Sequence, residues 1–448
     1  MIKKILIANR GEVAVRIIRA CRELGIASVA VYSEVDKEAL HTQLADQSIC
    51  IGPSSSRDSY LNIPNILEAT ALSGAQAIHP GFGFLSENSK FAKMCEECNI
   101  IFIGPNYKTM DLMGDKANAR KTMKKHGIPI VSGYEGFIKD ENHALSIARE
   151  IGFPVMIKAA LGGGGKGIRI VERENDFINA YIMAKSEAMA CFSSDVVYIE
   201  KFIKNPHHIE FQVIADNHGN AVHLFERDCS VQRKNQKLLE EAPSTVLDAE
   251  TREKMGDISV KICKVINYVN AGTIEFLVDD NKNFYFMEMN TRIQVEHPIT
   301  EMITGIDLIK EQIKIASGHK LSFTQDDVKI NGHSIECRIN AENPNKNFLP
   351  SCGKIEQLNV PGGLGVRLDS AVYQGYTIPS FYDSMLAKLI VHGKDRNEAI
   401  MKMKRALLEF VIYGIDSNID FQFKILSDPD FNLGNYNTGF LNKLVSSE

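Results

Sequence analysis

The chain has 448 residues, length enough for about three domains. Lys and Arg number 51 against 56 Asp and Glu, a formal charge of −5, which excludes a cationic nucleic-acid coat. Hydrophobic residues make up 44% and charged ones 24%, with no apolar run long enough for a bilayer, so a disordered chain and a membrane protein are excluded too.

The chain opens on an apolar stretch to Ala8 that is too short for a secretion signal and runs into Asn9-Arg10-Gly11. A cytoplasmic location is expected, and the nine scattered cysteines fit a reducing compartment. Lys4 to Ala8 reads as a strand. Ala14, Ile17, Ile18, Cys21 and Leu24 then share a helical face, closed by Gly25. Strands follow at Val29–Val31, Ser48–Ile51, Gln76–Ile78 and Ile100–Ile103, with helices at Asn65–Leu72 and Lys90–Glu97. This is the βαβ rhythm of a parallel sheet. Only Gly11 occupies the first turn, so the three-glycine dinucleotide fingerprint is absent. Cys95 and Cys98 are an i,i+3 pair without the second pair or histidine that zinc needs.

From about Asp115 the texture becomes strand-rich, with hairpins and one glycine cluster. The strand Pro154–Ala159 leads into Gly162–Gly167 and then into Ile168–Val171. The loop is not a Walker A motif, because Gly167 follows Lys166 where Ser or Thr is required. It is either a flexible turn or a phosphate cradle, and Lys158 beside it favours the cradle. His208, Glu210 and Gln212 alternate with Ile209, Phe211 and Val213, as in a half-buried strand turned by Asn217–Asn220. The return strand ends in the run Glu226–Lys237, whose basic end is either a solvated face or an anion site.

Thr273–Asp279 and Phe284–Asn290 read as paired strands. A four-residue loop, Asp280–Asn283, sets Asp279 opposite Phe284 and Glu275 opposite Glu288, with Asn290 on the face of Glu288. Facing carboxylates suit Mg²⁺, unless the face is merely solvated. Pro298 disfavours helix at His297, so Arg292, Gln294 and Glu296 are expected along one side of an extended segment. A guanidinium grips a planar anion by two hydrogen bonds and a carboxylate takes its proton, as bicarbonate chemistry requires. A structural Arg–Glu pair is the competing reading. Beyond about Asn331 come short strands, the turn Pro361-Gly362-Gly363 and a final helix near Asn397–Phe410. Within it, Met401-Lys402-Met403 imitates a biotin-attachment site, but Ala399, Met403, Ala406, Leu407 and Phe410 have helical spacing. The lysine of such a site sits on a hairpin tip, so biotin is expected on a separate carrier.

Ile7–Glu12, His79–Asn88, Met113–Lys116, Gly162–Gly167, Glu226–Ser230, Glu288–Pro298 and Glu336–Glu342 together resemble the biotin carboxylase components of bacterial acetyl-CoA carboxylases, a family of ATP-grasp enzymes, essentially end to end. The resemblance implies a mixed α/β fold. It has an N-terminal βαβ domain (1–114), a central ATP-grasp domain (115–330) with a glycine-rich lid at about 131–203, and a mixed C-terminal domain (331–448). It implies that ATP phosphorylates bicarbonate to carboxyphosphate, and that biotin is then carboxylated. Lys116, Lys158, His208, Gln232 and Asn235 would contact the nucleotide, with Gly164 and Gly165 closing over its phosphates. Glu200, Lys201, Phe202 and Ile203 would flank the adenine. Glu275, Glu288 and Asn290 would hold Mg²⁺ or Mn²⁺, the two glutamates also facing the ATP. Lys237, Arg292, Gln294 and Val295 would seat bicarbonate, Glu296 would be its base, and Arg338 would steady carboxyphosphate and the biotin enolate.

The implied partners are a biotin carboxyl carrier protein, carboxyltransferase subunits and a second copy of the chain, with no nucleic acid or membrane. Arg16, Arg19, Glu23, Phe84 and Arg367 are at contact positions of that dimer. The family often has Phe at Leu364, His at Asn235 and a smaller residue at Leu161, which implies a looser dimer contact and altered nucleotide affinity. The end at Glu448, without a carrier domain, favours an acetyl-CoA system in fatty acid synthesis. The alternatives are the same subunit of a pyruvate or propionyl-CoA carboxylase and a non-catalytic ATP-binding regulator.

Overall fold

The first strands are short apolar runs that can be buried only between layers of helix. In the computed structural model, which describes residues 2–134, 136, 138–159, 168–192 and 194–446, they form a parallel sheet. Its strands are β1 (Lys4–Ile7), β2 (Ala27–Tyr32), β3 (Gln47–Cys50), β4 (Ala77–His79) and β5 (Ile101–Phe102), in the order β3-β2-β1-β4-β5. The expected helices run Gly11–Glu23, Ile63–Ser73 and Ser89–Glu97. Cys95 is buried in the last of these and Cys98 caps it. The winding reverses between β1 and β4, where an open α/β sheet has its crevice. Asn9 closes that point by donating to the Pro80 and Phe82 carbonyls, both at 2.7 Å.

The middle is less strand-rich than its sequence texture suggests. Lys116–Lys125, Glu141–Ile151, Phe177–Phe192 and Ala249–Val265 are helices. The last shows the reason: Met255, Ser259, Ile262 and Cys263 are buried at helical spacing, and Asp248 caps it by accepting from Thr251 N–H. A small sheet in the order β7-β6-β8 joins β6 (Val155–Ala159), β7 (Ile168–Val171) and β8 (Val197–Lys201). The glycine run, with Leu161, Gly164 and Gly165, lies outside the described residues.

An eight-stranded antiparallel sheet carries the rest. It contains β9 (His207–Ala215), β10 (Ala221–Arg233), β11 (Gln236–Ala242), β12 (Asn270–Val278), β13 (Phe284–Asn290) and β14 (His333–Asn340). The order is β13-β12-β9-β10-β11-β14, continued by Met385–Gly393 and Val366–Ser370. The β11–β14 ladder, Leu239 opposite Cys337, makes one continuous sheet across residue 330. On one face Ile209, Phe211, Ile274 and Phe276 form a core with Met255 and Ile262. The other face holds the polar alternates and is packed by the helix His297–Thr304. The β9 strand is therefore buried on both faces, not half-buried. The helix at Arg396–Glu409 holds the Lys402 side chain against the His392 carbonyl, as expected of a helix rather than a hairpin tip.

Candidate active site

Two hairpins build the site. Lys234 and Asn235 both adopt positive φ, 49° and 64°, so the chain reverses between β10 and β11. The basic run is thus neither one strand nor one solvated face: the turn brings Lys237 back beside Gln232 on the polar face. Asn is among the residues that enter this backbone region most readily. Asn235→His is expected to keep the hairpin and change the nucleotide KM; an unchanged KM in ATP-cleavage assays removes this position from the nucleotide site.

The β12–β13 hairpin pairs Val278 with Phe284, one residue out of register from the expected Asp279–Phe284 pairing. A bulge at Met287 restores the register, so Glu275 does face Glu288. Their side chains then take different partners. Glu288 pairs with Lys116 at 3.0 Å. Glu275 is buried and receives His208 Nε2 at 2.9 Å, Asn290 Nδ2 at 2.8 Å and Lys237 Nζ at 3.2 Å. Gln232 Nε2 sits 2.6 Å from His208 Nδ1, which selects the tautomer with its proton toward Glu275. Burial raises the Glu275 carboxyl, but Lys237 and His208 outweigh burial and hold it well below the ordinary range. Two carboxylates and an amide are the hard oxygen donors that Mg²⁺ or Mn²⁺ takes. Among His, Cys, Asp and Glu of the described residues, Glu275 shares a group with His208 and Glu210 whose ligand atoms lie within 4.8 Å of one another; Glu288 is not part of it.

Lys237 joins three carboxylates: Glu210 and Glu296 at 2.6 Å each, and Glu275 at 3.2 Å. Glu210 is also held by the fully buried Arg227 at 2.5 Å. Glu296 receives Lys237 on one oxygen and Arg338 Nη2 on the other, at 2.9 Å. Burial would raise its carboxyl; Lys237, Arg338 and Arg227 hold it well below the ordinary range, so it is ionised at neutral pH. An anion at this point meets a carboxylate ready for a proton and three cations around it.

The segment before Glu296 is not extended as expected. His297 N–H bonds to the Gln294 carbonyl, Glu296 caps the helix His297–Thr304, and Pro298 occupies its first turn, where a missing N–H costs nothing. Arg292 nevertheless reaches Gln294 Oε1 at 2.7 Å and Asn290 Oδ1 at 3.1 Å. Its Nε donates to Glu87 at 2.8 Å, so the loop after β4 is fastened to the site. At the other end, Lys158 and Arg120 pair with the buried Glu200. The Lys201 side chain binds the Gly152 and Phe153 carbonyls. Phe202 and Ile203 link β8 to the large sheet, and Phe202 N–H bonds to the Pro154 carbonyl.

Sequence reasoning gave no role to Glu87, Arg227, Glu240 or Lys388. Glu210 carried a signal, as a charge alternating with apolar residues along its strand; Arg227, set between Glu226 and Asp228, and Lys388, inside the apolar run Met385–Gly393, carried none. Lys388 is completely buried and donates to the Val295 carbonyl at 2.9 Å, with Glu12 at 3.1 Å. It anchors the loop that holds Arg292 to Glu296. Lys388→Met is expected to raise the bicarbonate KM about tenfold with the ATP KM unchanged, measured by bicarbonate-dependent ATP cleavage.

Three family descriptions match the chain: "Biotin carboxylase, N-terminal domain" over residues 1–110, "Carbamoyl-phosphate synthase L chain, ATP binding domain" over 115–324 and "Biotin carboxylase C-terminal domain" over 336–443. Fold and site together define an ATP-grasp ligase. The chain is 60% identical to Biotin carboxylase 1 of Bacillus subtilis over 98% of both chains. A biotin carboxylase–β,γ-ATP complex from Campylobacter jejuni is 51% identical, with a TM-score of 0.94 and 99% of each chain covered. The biotin carboxylase domain dimer of Hydrogenobacter thermophilus 2-oxoglutarate carboxylase, with MgADP, ADP and bicarbonate, is 50% identical, with a TM-score of 0.92, 99% of this chain and 98% of that one. The chain belongs to the biotin carboxylase family, enzymes that carboxylate biotin with ATP, a divalent metal and bicarbonate. No helix among the described residues is long and apolar enough to cross a membrane.

Proposed function

We propose that this chain carboxylates biotin carried by a separate biotin carboxyl carrier protein, in the cytoplasm, as the first half-reaction of an acetyl-CoA carboxylase that feeds fatty acid synthesis. The supporting observation is the Glu296 carboxylate, held between Lys237 and Arg338 on the same sheet face as Glu275. Lys237, Arg292, Gln294 and Val295 seat bicarbonate. Glu296 takes its proton as the bicarbonate oxygen attacks the γ-phosphorus and ADP leaves. The carboxyphosphate formed yields CO₂ and phosphate; the phosphate accepts the N1 proton of biotin, and N1 bonds to CO₂. Arg338 balances the charge on carboxyphosphate and on the biotin enolate. Lys116, Lys158, His208, Gln232 and Asn235 hold the nucleotide, Gly164 and Gly165 cover it, and Glu200–Ile203 flank its adenine. Glu275, Glu288 and Asn290 would hold the divalent ion, which would supply charge neutralisation to the nucleotide. The domain divisions are 1–114, 115–330 and 331–448, with the lid at about 131–203.

The partners are the carrier, carboxyltransferase subunits and a second copy. Arg16, Arg19, Glu23 and Arg367 line one cavity of about 350 Å³, a surface suited to a second copy. Arg16 is already spent inside the chain on Glu301 and Asp307, at 2.9 and 2.6 Å. Phe84 stacks on Tyr60 and does not line that cavity. Leu364 is 94% exposed, an apolar side chain free to meet a partner.

ATP cleavage is expected to require bicarbonate, to rise with free biotin, and to vanish with EDTA and return with Mg²⁺ or Mn²⁺. Nucleotide binding without bicarbonate-dependent turnover would instead identify a regulator. Co-purification with a biotinylated partner whose acceptor is pyruvate or propionyl-CoA would replace the acetyl-CoA assignment.

A further inference from the structure

Arg338 stands between two carboxylates. Glu240 Oε1 accepts from its Nε at 2.7 Å and lies 2.5 Å from its Nη2, which also donates to Glu296 at 2.9 Å. Across the β11–β14 ladder, Glu240 is directly opposite Glu336. Both residues are completely buried. Opposed residues of an antiparallel pair have Cβ atoms about 5 Å apart. Three oxygens here have no hydrogen-bond donor among the described residues: Glu240 Oε2 and both oxygens of Glu336. The charged groups around the pair are Arg338 and Glu296 on the active-site side, Lys237 beyond them, and Lys388, opposite Arg338 in the next strand and itself turned to Glu12 and Val295. Two buried, adjacent carboxylates repel, and one proton between them removes the repulsion and supplies the missing donor.

We propose that Glu240 and Glu336 hold one proton between them and form the positioning pair of Arg338: the Glu336 carboxyl donates to the open Oε2 of Glu240, leaving the Glu240 charge on the oxygen that grips the guanidinium. The proposal rests on the reading of Arg338 given above. Arg338 can then leave Glu296 for an incoming anion while Glu240 keeps its plane fixed. Burial pushes Glu240 up to about 7 and Glu336 well above the ordinary carboxyl range, in keeping with a shared proton.

The test is steady-state kinetics of biotin-dependent ATP cleavage, with infrared spectroscopy on the same proteins. Glu240→Gln is expected to lower kcat about 10–100-fold with the ATP KM within about twofold. Glu336→Gln, whose amide donates as the acid does, is expected to stay within about threefold of the parent kcat, while Glu336→Val loses about tenfold or more. A protonated-carboxyl C=O band should be present at neutral pH and missing in Glu336→Gln. Arg338→Lys is measured alongside. Impaired Arg338→Lys with parental Glu240→Gln kinetics overturns the positioning role, and absence of the band overturns the shared proton. A silent Arg338→Lys overturns the active-site reading and with it the positioning role, while the band still reports the proton.

Discussion

Replacing Glu296 by Gln is expected to lower kcat for bicarbonate-dependent ATP cleavage by about 10²–10⁴-fold, the usual worth of a positioned general base. The amide keeps the size of the side chain and loses the ability to take a proton. Lys237 remains paired with Glu210 and Glu275, and Arg338 with Glu240, so the pocket does not lose its shape. Nucleotide affinity, read by direct titration, should stay within about threefold. A variant that retains turnover assigns the proton to another group. The pH dependence follows from the same contacts. Glu296 has its folded value depressed by Lys237, Arg338 and Arg227 acting against burial. Its contribution to stability is therefore full above about 4.3, the value in an unfolded chain, and is lost as pH falls through the lower folded value. Acid unfolding of Glu296→Gln should accordingly be shallower than that of the parent.

Lys237→Met is expected to cost about 3–5 kcal/mol of stability and to abolish turnover. One ammonium touches Glu210, Glu275 and Glu296, all buried. Burial works against its charge, but Cys229 and the three carboxylates hold its proton on well above the ordinary lysine value. Without it, Glu210 keeps Arg227 and Glu296 keeps Arg338, while Glu275 is left with neutral donors and His208. The removal of one partner strands buried charge, which costs far more than the pair itself contributes. Urea titration measures the loss. A shift below about 1 kcal/mol would show that the carboxylates relax by taking up protons. A divalent ion should restore part of the stability, since Glu275 carries the charge that the ion needs.

Local chemistry decided much of this protein. The period-2 and period-3.6 patterns of the first hundred residues give the parallel sheet its strands and helices. The Glu275–Glu288 opposition is legible because a hairpin converts a loop length into a register. The numbering even survives an error, since the bulge at Met287 offsets the one-residue register shift at the turn. Helicity in Lys402 is likewise a matter of spacing alone. Tertiary structure decided the rest. Glu87 arrives at Arg292 from 205 residues away, and Lys388 at Val295 from 93. No local pattern encodes such approaches, because they depend on which strands become neighbours. The protonation of Glu240, Glu296 and Glu336 is decided there as well. Three glutamates with the same intrinsic acidity are set apart only by burial and by the cations that the folded sheet brings beside each.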